Sequence, residues 1–123
     1  MAAALAVVAV LIFDTVAAAI AKGGGAYRWF GILEILLYLA IGFMGARATG
    51  TWRGGLGVVM IAAVAEVTLG WYLSSLVGPG TVPAGTSFAT IASVGLIAIV
   101  WNGIIGLAGA LIGARFARTT EPR

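Results

Sequence analysis

The sequence predicts an all-α integral membrane protein, a single domain built as a four-transmembrane-helix bundle. Three observations carry that reading. Only 9% of the 123 residues are charged while 62% are hydrophobic, and the mean hydropathy is +1.13. A soluble domain of this size has too little interior to hide so much apolar surface. The apolar stretches are long enough to cross a bilayer, because ~20 residues at ~1.5 Å each span a ~30 Å hydrocarbon core. Between them stand short breaks rich in Gly, Pro or Arg, where a helix stops.

The first span runs from Ala2 to Ala21 and ends at Lys22 with Gly23, Gly24 and Gly25. The "AIA" before Lys22 is similar to a signal-peptide cleavage site, but the chain has no basic stretch ahead of it and Asp14 interrupts the apolar run, so the span is expected to be retained. The second runs from Trp29 to Ala46 and stops at Arg47. The third covers Leu56 to Val77, and "GPGTVPAGTS" (Gly78 to Ser87) follows as a neutral loop. The fourth covers Phe88 to Ala114, before a polar tail over Arg115 to Arg123. Backbone groups in lipid must satisfy one another, so each span is expected to be a helix.

Lys and Arg set the orientation. An even number of spans puts both termini on one side, which carries Arg47, Arg53, Arg115, Arg118 and Arg123; the other carries only Lys22 and Arg28. The positive-inside rule then places both termini in the cytoplasm, with a bacterial plasma membrane as the expected location. Tyr27, Trp29, Trp71 and Tyr72 fall near the outer boundary and Trp52 near the inner one, as interfacial aromatics do; Trp101 lies deeper.

Each span holds one strongly polar group: Asp14, Glu34, Glu66 and Asn102. Each sits on a stripe of small residues at helical spacing. Asp14 shares a face with Ala17, Ala18 and Ala21; Glu34 with Gly31, Tyr38, Gly42 and Gly45; Glu66 with Ala62, Gly70 and Ser74; Asn102 with Gly95, Gly106, Gly109 and Gly113. Small residues let helix backbones approach closely, which is how helices associate in lipid. The polar groups are therefore expected to face protein, and the glycines to be packing positions. Counted inward from the outer boundary at the helical rise, Glu34 lies roughly 8–9 Å deep, Asp14 roughly 12 Å, Glu66 roughly 16 Å and Asn102 roughly 20 Å. Shifting the sequence by 68 positions overlays Glu34 on Asn102 and Gly45-Ala46-Arg47 on Gly113-Ala114-Arg115; a shift of 52 overlays Asp14 on Glu66. These overlays predict two helical hairpins related as a parallel repeat.

A carboxylate in hydrocarbon without a cation is costly, so an acid there is expected to be neutral, paired or functional. The first functional reading is a non-enzymatic membrane subunit or accessory protein. Its acids would be interhelical hydrogen-bond donors, with Asp14 bonded to Thr15 or Asn102 and Glu34 met by Lys22 or Arg28. Its partners would be the bilayer and other transmembrane helices, in a homo-oligomer or a larger complex. The second is a small oligomeric proton- or cation-coupled transporter centred on Glu66 and Asp14. The third is an intramembrane acid–base enzyme on an apolar substrate. Against an enzyme, Cys and His are absent, and Thr15, Thr68, Ser74 and Ser75 are isolated hydroxyls of the kind that bond back to their own helix. No catalytic residue, metal ligand set or cofactor is predicted, and no basic run points to nucleic acid.

The stretches "IGFMGARATGTWRGGLGVVM" and "GIIGLAGALIGARFAR" resemble a broad group of small Gly-rich four-helix bacterial membrane proteins of unknown function. That group often carries a His at the start of its third helix, where this chain has none. The resemblance implies a fold and a location and no activity. "AEV" (Ala65 to Val67) is similar to a triplet of the four-span drug exporters, but there it lies in the first span and the remaining residues do not match.

Overall fold

The computed structural model describes residues 1–21, 27–78 and 85–118, apart from the side chains of Tyr27, Arg28 and Arg118. Helix α1 covers Ala2–Ala21, α2 Tyr27–Thr49, α3 Trp52–Ala65, α4 Trp71–Val77 and α5 Phe88–Arg118. Between α3 and α4 the chain passes through one π-helical turn, Glu66–Gly70. There are no strands among the described residues. Four helices, with α3, the π turn and α4 taken together, are long and apolar enough to cross a membrane. The protein is thus an integral membrane four-helix bundle.

The helices outrun the apolar windows that mark them in the sequence. Arg47 and Arg53 do not end a helix; helices end at caps. Gly50, at φ 73°, adopts the left-handed conformation that closes α2. Thr51 caps α3, its side chain accepting from the Gly54 amide at 3.1 Å. Ser87 does the same for α5, accepting from the Thr90 amide at 3.2 Å. These turns lie in the interfacial zone, where water and headgroups tolerate charge.

The bundle is apolar outside and small inside. On α1, Ala6, Val10, Ala17 and Ala18 are buried while Leu5, Val8, Ile12 and Val16 are exposed. Lipid solvates the large aliphatic side chains as well as a core would, so close backbone approach decides which face turns inward. The α2–α5 seam shows this most clearly. A Cβ at Gly42 would overlap the Gly106 carbonyl, one at Gly109 the Leu39 carbonyl and one at Gly113 the Phe43 carbonyl. Gly45 faces Val58 and Gly55 of α3, Gly106 faces Val59, and Gly95 faces Val67. Gly31 makes no such approach: a Cβ there would meet nothing within 4 Å. It borders a cavity.

Contacts ascend both chains together along the α2–α5 seam, so these two helices run in the same direction. So do α1 and the third span, where Asp14 meets Gly70 and Ala18 meets Gly78. The two hairpins do not pack symmetrically, however. Helix α2 lies against α3, whereas α1 and α5 do not touch among the described residues. Helix α1 is a flanking helix, held by the third span and, more sparingly, by α2.

Candidate functional site

Three of the four predicted polar residues meet in one network, and a fourth member joins them. The Asn102 side-chain amide of α5 donates to Glu66 Oε2 at 2.9 Å and to Glu34 Oε1 at 3.2 Å. The Tyr38 hydroxyl of α2 donates to the same Glu66 Oε2. Tyr38 is 0% exposed, Asn102 1% and Glu66 5%, so the bonds to Glu66 are buried within the bundle, while Glu34 is half-buried. One residue from α2 and one from α5 thus hold a carboxyl of the third span from two sides. Hydrogen bonds of this kind are what a buried polar group requires.

The π turn belongs to the same place. It begins at Glu66 and ends at Gly70, and both are buried. A π turn carries one extra residue and re-aims the side chains beyond it. Here it brings Trp71 and Ser74 of α4 to the same cavity as Glu66. Its Gly70 lets Asp14 of α1 press against the backbone; a Cβ there would overlap Asp14 Oδ2.

Asp14 is the exception to the network. Its Oδ2 is buried and has no hydrogen-bond partner among the described residues. The expected bonds to Thr15 and Asn102 do not form. Thr15 Oγ1 donates to the Leu11 carbonyl of its own helix at 2.7 Å, and the Asn102 amide donates to the two glutamates. Thr68, Ser74 and Ser75 likewise donate back to backbone carbonyls of their own helical segments, at 2.7 to 2.9 Å. The expected approach of Lys22 or Arg28 to Glu34 falls outside the described residues. The arginines with described side chains, Arg47, Arg53 and Arg115, lie near the opposite ends of their helices.

Asp14, Glu34 and Glu66 border a cavity of about 250 Å³. Helices α1 and α2, the π turn and α4 line it, with Ala17, Ala18 and Gly31 leaving the space and Phe13, Phe30 and Trp71 walling it. Phe13 and Phe30 meet edge to face, with centroids 6.1 Å apart. All these residues lie toward the end of the bundle where α1 finishes and α2 begins. Three carboxyls thus border one space. They do not converge on a point: no group of acids among the described residues could hold a metal ion.

Tyr38 and Trp71 are the site residues that sequence reasoning missed. Tyr38 stands on the Glu34 stripe, and its hydroxyl was the signal, since a buried phenol seeks a partner. Trp71 reads as an interfacial aromatic until the π turn re-aims it.

Fold and site together define a polytopic membrane protein with a polar, acid-rich interior. No protein-family model matches the chain, and no curated protein and no solved structure matches it.

Proposed function

We propose that the protein is a small membrane transporter of protons or cations, with Asp14, Glu34 and Glu66 as the groups that take up and release charge. The observation that carries this reading is Asp14, whose buried oxygen has no partner, beside a cavity it shares with the two glutamates. Glu66 accepts from Tyr38 and Asn102, and Glu34 from Asn102, bonds that hold these two carboxyls in place. Asp14 Oδ2 instead is packed against Gly70 with no such bond among the described residues, in a side chain that also borders the cavity. Intramembrane acids with no structural partner mark ion and proton pathways. The Arg-rich end of the bundle faces the cytoplasm of a bacterial plasma membrane in this reading, and the cavity lies in the outer half.

The test is flux in proteoliposomes carrying an imposed pH gradient, with the membrane potential clamped by potassium and valinomycin. Wild-type vesicles should dissipate the gradient faster than vesicles of Asp14→Asn. Dissipation no faster than in protein-free vesicles would overturn the proposal.

A second reading, a subunit that docks other transmembrane helices, draws support from Trp101. It is 57% exposed, deep in α5 and about 100° round the helix from Asn102 of the glycine stripe. Cross-linking from a cysteine at position 101 of this Cys-free chain, in native membranes, separates lipid from protein neighbours there.

A further inference from the structure

We infer that the cavity between α1, α2 and α4 binds a small organic monocation, an amine or quaternary ammonium carrying an apolar body. The inference rests on the transport reading above and names its substrate class. Three features of the cavity point the same way. Its volume of about 250 Å³ far exceeds what a bare ion fills, yet falls below the ~300–1,000 Å³ of pockets for drug-sized ligands. Its carboxyls are spread around the walls and do not gather into a metal-binding group. That suits a charge carried on a bulky centre, which needs a negative field more than short ligand bonds.

The third feature is aromatic. Phe13, Phe30 and Trp71 line the same space as Asp14, Glu34 and Glu66. Phe13 and Phe30 are locked edge to face, which fixes one wall. Aromatic faces attract organic cations through the ring quadrupole, most strongly where water is excluded. An inorganic cation would have to shed its hydration shell against these rings with too few oxygens to replace it. A neutral apolar ligand would leave the acids unanswered. Among the described residues, the groups that can carry charge and that face Asp14 are Glu34 from α2 and Glu66 from the third span; a cationic guest answers all three at once.

The experiment is calorimetric titration of the full chain in lipid nanodiscs with tetramethylammonium, tetraethylammonium and benzyltrimethylammonium, and with a neutral hydrocarbon of the tetraethylammonium shape. At least one cation should bind and the neutral shape should not. Asp14→Asn should abolish the binding. Phe30→Leu, on the cavity's aromatic wall, should weaken it about 3- to 30-fold, the range a cation–π contact supplies. Helical content by circular dichroism confirms that each variant is folded, and the two variants probe the site independently. Binding undiminished in both folded variants would overturn the assignment of this cavity. Absence of binding by all three cations, while proton flux persists, would overturn the substrate class and leave the transport reading standing. Absence of both binding and flux would remove both.

Discussion

Asn102 of α5 donates a hydrogen bond to Glu34 of α2 at 3.2 Å, across 68 positions of the chain. That is the offset at which the two helices overlay in sequence. The parallel α2–α5 seam, closed by glycines on backbone carbonyls, sets these two residues side by side. The same amide reaches Glu66 at 2.9 Å, so one side chain ties three spans together. Asn102→Leu removes both bonds and leaves the buried Glu66 and half-buried Glu34 carboxyls without that donor. Stability should fall by about 1 kcal/mol, the scale of interhelical hydrogen bonds in membranes, when read by SDS-induced unfolding in mixed micelles. An unchanged unfolding midpoint would mean that the network does not hold the bundle.

Tyr38→Phe keeps the ring and deletes the hydroxyl that donates to Glu66. The expected loss is about 0.5–1.5 kcal/mol in the same unfolding assay. The Glu66 carboxyl stretch should also shift in infrared spectra, since a donor to its Oε2 is gone. A shift absent in Tyr38→Phe would show that the hydroxyl bonds elsewhere.

Glycine substitutions should separate the seam from the cavity. Gly42→Ala and Gly109→Ala place a methyl group against backbone of the facing helix, where no rotamer can yield. Each should cost about 1–3 kcal/mol, as overpacking does. Gly31→Ala meets open space and should leave stability close to wild type. Equal effects at all three positions would contradict the close α2–α5 approach.

Deleting Val67 removes the extra residue of the π turn and should restore an unbroken α-helix. Five residues of π turn sweep about the same angle as four of α-helix, so α4 should keep its face. Ser74, now 2% exposed, should stay buried. In the Ser74→Cys background of this Cys-free chain, maleimide labelling should be slow with the turn intact and stay slow after the deletion. Fast labelling after the deletion would show that α4 cannot be seated without the fifth residue of the turn.

Much of this architecture is legible in the sequence, because membrane folds are written in two coarse signals. Apolar length gives the four spans, and small residues at helical spacing give the inward faces that carry Glu34, Glu66 and Asn102. Helix ends are less legible: α2 and α3 run past Arg47 and Arg53 to caps at Gly50 and Thr51. The π turn leaves no mark, since Glu66-Val67-Thr68-Leu69-Gly70 has ordinary helical composition and its extra residue is a consequence of packing. Gly31 illustrates the limit of stripes: it shares the face of Gly42 and Gly45 but borders open space in the cavity. The missing partner of Asp14 is likewise a three-dimensional fact. Spacing places that acid on an inner face and is silent on whether a donor awaits it.

The measurement that most directly tests the central claim is the Asp14 carboxyl stretch in liposomes, followed by infrared difference spectroscopy as pH and solvent deuteration are varied, with Asp14→Asn for assignment. A carboxyl that serves the cavity should change protonation with bulk pH while the protein stays folded, and should exchange readily into D2O. A band that neither moves with pH nor exchanges would mean that Asp14 is sealed in the bundle, and the transport function would fall.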